Sequence, residues 1–287
     1  MGSMTGLRLH TVTTDDGARL AAYVREPATE STTSKPRTIV LAHGWLLSHR
    51  SWLPVVDLLP DDVRVVLWDQ RGHGDSTLAH GGRKVGDESV RRLGHDLQTV
   101  IDQLLPADSR FVLGGHSMGG MTVLAYAGVA PEQVATRVER VLLVSTAAGG
   151  LRGTGRPGEE AFMRTLRHVP LRLGRSMTLK GQRKTAFGKQ PRDEDVRAAT
   201  AIVRGTRANV FAAYYQALMA HDEVASLAAL RDLAVEVIVG SRDKLTPPVL
   251  ARRLGEELPD AHVTVLPDKG HMLLWEAPEV LAQELQR

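Results

Sequence analysis

An α/β architecture, with a mostly parallel sheet and helices on both its faces, follows from three observations on this 287-residue sequence. Short apolar runs recur along the chain, rich in β-branched residues and bounded by turn formers. Helix-period segments lie between them. The alternation of the two implies crossover connections, and therefore parallel strands. It breaks once, over residues 147–230, where no strand is legible.

Residues 19–24 alternate loosely and read as a first strand. Residues 28–37 are rich in Ser, Thr and Pro and read as a loop. Thr38–Ala42 is a continuous apolar run, β-branched at its start, as expected of a strand buried on both faces. Residues 63–68, 110–114 and 138–145 read the same way, followed by Ala234–Gly240 and His262–Leu266. Helices are expected over 51–59, 89–105, 121–130, 247–258 and from 278 to the end. Pro247 and Pro278 stand near two of these starts, where a missing N–H costs nothing. Inside the break, 159–168, 171–177, 194–204 and 208–220 read as helical. The expected organisation is a core of residues 5–146 and 231–287, interrupted by a helical insert over 147–230 that is well placed to cover a pocket.

Composition narrows the classes. The apolar share, 43%, is ordinary for a globular chain, and no run approaches a membrane span. The N-terminus lacks a basic stretch followed by an apolar core; Met1-Gly2-Ser3-Met4 has the form of a cloning remnant with a native start at Met4, and a cytoplasmic location is expected. There is no cysteine, which excludes disulfides, thiolate metal sites and cysteine catalysis. The net charge is only +3, but residues 152–192 hold eleven Lys and Arg against Glu159 and Glu160. That window carries +9. Such segregation marks a distinct subregion.

The most informative segment is Phe111-Val112-Leu113-Gly114-Gly115-His116-Ser117-Met118-Gly119-Gly120. An apolar strand runs into Gly-x-Ser-x-Gly and then into a helical run, a turn that lifts a serine hydroxyl clear of its strand. A glycine-rich turn with an idle serine is the plain alternative. A serine hydroxyl is a poor nucleophile at neutral pH and needs a base, which in turn needs an orienting acid. Two loops offer these groups. Ala234–Gly240 is followed by Ser241-Arg242-Asp243, and His262–Leu266 by Pro267-Asp268-Lys269-Gly270-His271. In a parallel sheet those strand ends share one edge. The order Ser117, Asp243, His271 is the one this motif requires. Asp268 is the competing carboxylate, three residues before His271, and has a loop-shaping role as its alternative. Charge on a reacting carbonyl oxygen must be met by backbone N–H groups. The expected donors are Met118, directly after the serine, and Trp45, in His43-Gly44-Trp45 after Thr38–Ala42.

On these motifs the chain resembles the α/β-hydrolases over nearly its whole length. His43-Gly44-Trp45, Asp69-Gln70-Arg71-Gly72-His73-Gly74-Asp75-Ser76, the Ser117 turn and the Asp243/His271 pair recur in family order. The run His43-Gly44-Trp45-Leu46-Leu47-Ser48 with Ser51-Trp52 further resembles esterases and cofactor-free haloperoxidase-like perhydrolases. The resemblance implies the α/β-hydrolase fold with an eight-stranded sheet, a helical lid after the sixth strand, and no cofactor. It also implies that Asp69 and Arg71 brace loops beside the site. Gln70 departs from the Arg or Tyr often found at its position. An epoxide hydrolase would need an aspartate where this chain has Ser117.

Other patterns carry less. Gly153-Thr154-Gly155-Arg156-Pro157-Gly158 formally matches a dinucleotide fingerprint, but it lies away from a strand and contains Pro157; a hinge is expected there. No ligand set with metal spacing is visible. The basic window lacks the interleaved aromatics of a nucleic-acid surface. Solvated helix faces account for most such charge, with attraction of an anionic substrate, acyl carrier or membrane surface as the sharper reading. Phe162, Met163, Leu166, Leu171, Leu173, Met177, Phe211, Tyr214, Tyr215, Leu218 and Met219 supply apolar surface in the insert, most of it expected as core and some facing a pocket. The expectation is hydrolysis of a carboxylic ester of an apolar small molecule through an acyl-enzyme. Thioesterase or acyltransferase chemistry needs the same residues. A noncatalytic ligand receptor on the same fold is the alternative of another class.

Overall fold

The computed structural model describes residues 6–28, 37–86, 88–151 and 158–287, with only the backbone of Arg175. The stretch Gly153 to Pro157, with its expected hinge, lies outside the described residues, as does most of the expected loop over 28–37. Eight strands form one sheet: β1 Leu7–Thr13, β2 Arg19–Arg25, β3 Thr38–Ala42, β4 Arg64–Trp68, β5 Phe111–His116, β6 Val138–Val144, β7 Ala234–Gly240 and β8 His262–Leu266. Their order is β1-β2-β4-β3-β5-β6-β7-β8. β1 and β2 are antiparallel, as are β2 and β4; from β4 to β8 every pairing is parallel.

The helices are α1 Leu53–Val56, α2 Val90–Leu104, α3 Met118–Val129, α4 Pro131–Arg137, α5 Glu159–Leu166, α6 Leu179–Ala186, α7 Asp193–Gly205, α8 Ala208–Met219, α9 Pro248–Glu257, α10 Leu273–Glu276 and α11 Pro278–Gln286. Two apolar cores lie on opposite faces of the sheet. One gathers Val40, Val66, Leu113 and Val141 against Leu97, Ile101, Val123 and Leu254. The other gathers Ile39, Val65, Val112 and Ile238 against Trp52, Val55, Leu281 and Leu285. Alternate residues of one strand therefore feed different cores, and β3 and β5 are buried along their whole length.

Several expectations are corrected. The strand over 19–24 is the second, not the first. β1 precedes it as an edge strand, with Leu9 in solvent and Val12 its one buried residue, so it shows no apolar pattern. The helix expected over 51–59 is a short 3₁₀ turn, His49–Trp52, followed by α1. The helix expected over 171–177 reduces to a 3₁₀ turn, Gly174–Ser176, because Arg172 is taken up in a bridge to Arg207. α4 and α6 have no counterpart in the sequence reading. α6 buries only Ala186, so its apolar stripe is nearly absent. The turn of α3 begins at Met118, three residues before the expected start.

Arg71 ties the sheet edge to the helical layer. Its guanidinium donates to Asp96 of α2 at 2.6 and 2.7 Å, and to Asp16 of the β1–β2 turn at 2.8 Å. Burial disfavours its charge, but the bonds from Asp96 and Asp16 outweigh burial and raise its pKa. Asp69 does related work nearby, accepting the backbone N–H of His49 at 2.7 Å and of Asp75 at 2.9 Å. Among the described residues no helix is long and apolar enough to cross a membrane. The Arg71→Ala chain is expected to lose about 3–5 kcal/mol of stability, because the buried Asp96 would lose both short bonds and keep only Arg92 Nε at 3.4 Å. Urea unfolding measures this; a loss below about 1 kcal/mol would show that the network is dispensable.

Candidate active site

Strand order reverses at β3: the chain passes from β3 to β4 on one side, while β5 lies on the other. A crevice opens at the carboxyl ends of such strands. The loop with His43, Gly44 and Trp45 leaves β3 there, and Ser117 leaves β5.

Ser117 stands at φ 54° and ψ −122°, a region that side chains other than glycine rarely enter. The fold holds it from several sides. Its N–H donates to Val144 O of β6 at 2.8 Å, and its carbonyl accepts from Gly120 N–H, Met121 N–H and the Thr146 hydroxyl. α3 starts so close to the end of β3 that a Cβ on Gly119 would press into the Ala42 carbonyl. From the other side a Cβ on Gly44 would lie 2.8 Å from His116 Nδ1 and 3.1 Å from Ser117 Cβ. Glycine at 44 and 119 is thus what lets the oxyanion-side loop, the serine and its helix occupy one small volume. Among the described residues nothing accepts the backbone N–H of Trp45 or Met118, and nothing hydrogen-bonds the Ser117 hydroxyl.

His271 and Asp243 meet as the strand ends require. His271 Nδ1 lies 2.8 Å from Asp243 Oδ2, and both residues are buried. The carboxylate is fully engaged: Oδ1 accepts from Leu245 N–H and Thr246 N–H, both at 2.9 Å. Burial works to raise its pKa, but His271 and the Thr246 donors outweigh burial and hold it below the ordinary carboxylate range. Asp243 therefore stays ionised and accepts Nδ1–H, which leaves Nε2 as the free ring nitrogen. Thr246, which the sequence reading missed, sits between the partners. Its Oγ1 is 2.9 Å from Asp243 Oδ2, 3.1 Å from His271 Nδ1 and 2.8 Å from Ser145 O. The competing carboxylate, Asp268, points away to Arg242 at 2.8 Å and is exposed.

His116, next to Ser117, carries Nε2–H to the backbone carbonyl of His271 at 2.9 Å, and the two rings lie 4.9 Å apart. The serine turn and the histidine loop are thus fastened together. Gln70, whose consequence was open at the sequence level, closes a second link. Its backbone N–H donates to His43 Nε2 at 2.9 Å, its side-chain amide donates to His43 O, and its carbonyl oxygen accepts from Thr122 Oγ1 of α3 at 2.6 Å. His43 Nδ1–H in turn donates to Gly44 O at 2.8 Å. One amide side chain fixes both the Trp45 loop and the helix behind Ser117. An Arg could not accept from Thr122.

Of the apolar residues expected in the insert, Phe211 stacks on Trp45 at 4.8 Å and Tyr215 tilts toward it at 6.2 Å. Tyr214 and Leu218 are buried beside Met118 and Met121. Phe162 and Leu171 correct the expectation of core or pocket: they are 60% and 70% exposed. Among the described residues no group of three or more His, Asp or Glu could hold a metal ion.

A family model described as the alpha/beta hydrolase family matches residues 39–284. The chain is 30% identical over 262 residues to the dihydrolipoyllysine-residue acetyltransferase component of the acetoin cleaving system of Pseudomonas putida, with 86% of the chain and 62% of that protein covered. It spans 58% and 42% of the length of two further curated relatives. It is 28% identical to the pimeloyl-[acyl-carrier protein] methyl ester esterase of Aromatoleum aromaticum, covering 87% of the chain and 98% of that protein. Its fold matches the enol-lactonase from Burkholderia xenovorans LB400 at TM-score 0.76 and 22% identity, over 97% and 98% of the two chains.

Burial pulls the imidazoles of His43, His73 and His116 down from 6.5, to about 4, about 3 and about 3. Above pH 6.5 they are neutral whether the chain is folded or not. As pH falls below 6.5 the unfolded chain takes up protons and the folded one does not, so stability is lost down to about pH 3–4. Each contributes up to about 1.4 kcal/mol per pH unit in that window. The urea midpoint is expected to fall between pH 6.5 and 4.5, with at least these three imidazoles still neutral in side-chain 15N spectra at pH 5. Protonation of any of them at pH 5 in the folded chain contradicts this.

Proposed function

Since the chain belongs to the alpha/beta hydrolase family, we propose that it is a serine hydrolase that cleaves a carboxylic ester of an apolar small molecule through an acyl-enzyme. The observation that carries this reading is the buried 2.8 Å contact between His271 Nδ1 and Asp243 Oδ2, fastened through His116 to the strained Ser117. In this mechanism Ser117 Oγ attacks the carbonyl carbon while His271 Nε2 takes its proton. Asp243 holds Nδ1–H and stabilises the imidazolium. The Trp45 and Met118 amides donate to the oxyanion. His271 then gives its proton to the departing alcohol, and the acyl group remains on Ser117. Water, deprotonated by His271, attacks the acyl carbon; the acid leaves and Ser117 regains its proton. Residues 147–230 act as the lid, and Phe211 and Tyr215 against Trp45 form an apolar wall for the substrate.

A second reading, a thioesterase or acyltransferase acting on a CoA- or carrier-linked acyl group, is supported by the two relatives whose names contain an acyl transfer and an acyl carrier. The basic window of the insert would meet the anionic carrier.

Ser117→Ala is expected to keep the fold and to lower turnover about 10³-fold or more. A serine-directed phosphonate is expected to add its mass at Ser117, and labelling that persists in Ser117→Ala would refute the nucleophile. p-Nitrophenyl esters of graded acyl length, run beside acyl-CoA substrates, separate the two readings: higher kcat/KM on the oxyesters is expected, and preference for the acyl-CoA series would replace the first reading by the second.

A further inference from the structure

Three arginines from separate parts of the chain converge beside the Trp45 loop, with no carboxylate paired to any of them among the described residues. Arg172 and Arg207 face each other across an isolated antiparallel bridge. The flanking bonds run from Leu173 N–H to Thr206 O at 2.8 Å and from Ala208 N–H to Leu171 O at 2.7 Å. These bonds belong to the neighbours of the pair and not to the pair itself. Arg172 and Arg207 are therefore a narrow, non-hydrogen-bonded pair, with both side chains on one face. Arg83 joins them from the segment before α2, where its carbonyl accepts Asn209 Nδ2–H at 2.8 Å. Burial, and then the charges of Arg83 and Arg172, pull the Arg207 pKa below its ordinary value.

Several other arginines of the insert meet carboxylates, while Arg167 and Arg204 bond neutral acceptors, Gln216 Oε1 at 2.8 Å and Met177 O at 2.9 Å. Arg164 pairs with Glu160, Arg183 with Asp193, and Arg192 with Glu194 and Asp195. Among the described residues no carboxylate pairs with Arg83, Arg172 or Arg207. Like charges held directly opposite are destabilising, and an anion between them reverses the sign. The trio is also well placed. Thr206, the residue before Arg207, donates its hydroxyl to Leu46 O at 3.1 Å. Phe211, about one helical turn after Arg207, is the residue stacked on Trp45.

We propose that Arg83, Arg172 and Arg207 form a pocket for a carboxylate or phosphate carried by the ester, so that the preferred substrates are anionic esters. This rests on the serine-hydrolase reading. Guanidinium forks suit both anions, bidentately. The acyl or alcohol portion of the ester packs on the Trp45–Phe211 wall while its charged end is held outside.

The test compares kcat/KM for the p-nitrophenyl monoester of glutaric acid, its neutral methyl glutaryl counterpart and a phosphate-bearing p-nitrophenyl ester. Each is run on the wild-type chain, Arg83→Gln and Arg172→Gln. The anionic esters are expected to lose about 10-fold, carried in KM, and to lose their salt sensitivity, while the neutral ester stays within about two-fold. Whichever anionic ester loses more identifies carboxylate or phosphate as the group held. Partial recovery in Arg172→Lys separates charge from misfolding. An equal fall for neutral and anionic esters, or no fall, overturns the proposal. Calorimetric titration of glutarate and inorganic phosphate into Ser117→Ala tests the pocket without turnover. Binding that disappears when Arg172→Gln is added supports the pocket even if the wild-type chain cleaves no ester; absence of binding beside intact ester turnover removes the pocket and leaves the hydrolase reading standing.

Discussion

The backbone of Ser117, held at φ 54° and ψ −122°, is the constraint on which the rest of the site depends. A residue in such a region costs about 1–3 kcal/mol and persists only where its surroundings over-determine it. Here they do. β6 holds its amide, Thr146 its carbonyl, β3 its helix through the contact at Gly119, and the Trp45 loop its side through Gly44. None of these restraints is local in sequence. Each comes from an element brought alongside by the sheet order, so the conformation is a property of the assembled core.

The same logic runs outward through polar groups that have no role of their own in chemistry. Gln70 bonds the β3 loop on one side and Thr122 of α3 on the other, in a volume with no water-exposed alternative. His43 and His116 are kept neutral by burial, and each then has one N–H and one lone pair to place. Both use the N–H on a backbone carbonyl, Gly44 and His271 respectively. A charged imidazole at either position would have two donors to satisfy, and at His116 its charge would act on Asp243 as well. Neutrality is what makes these rings usable as struts.

Much of this was legible in the sequence. Strands buried on both faces give continuous apolar runs, and the limits read for Thr38–Ala42, Ala234–Gly240 and His262–Leu266 agree with the structure to the residue. Ser117, Asp243 and His271 were legible because each lies just past such a strand, and strand ends are the best-determined points of a parallel sheet. What was not legible has physical reasons. β1 is an edge strand whose partner is supplied by a turn, so burial imposes no alternation on it. α6 is amphipathic only through Ala186, and its start is set by the Thr178 hydroxyl accepting Gly181 N–H, a signal easily lost among basic residues. Thr246 acts through a hydroxyl in a loop, and nothing in its spacing distinguishes it from any other loop threonine. The Arg172–Arg207 bridge joins residues 35 positions apart inside a segment with no periodicity to align them.

The histidine loop shows how far position can depend on a segment that supplies none of the proposed chemistry. Ala186 O, at the end of α6, accepts both His271 N–H at 2.8 Å and Met272 N–H at 3.1 Å, and Lys189 N–H donates to Asp268 O at 2.9 Å. Glu276 completes the clamp, one oxygen accepting Gly188 N–H at 2.9 Å and the other Gly270 N–H at 3.0 Å. Burial raises the Glu276 pKa in spite of those two donors. The loop that carries His271 is therefore bonded along its length to residues 186–189, not only to the sheet from which it springs. Side-chain contacts alone would let the insert shift without moving the imidazole. Backbone bonds on both sides of position 271 do not, because sliding the insert breaks a buried N–H···O pair or drags the loop with it. The insert and His271 move together or not at all, which makes the sequence of the insert a determinant of where His271 Nε2 sits relative to Ser117.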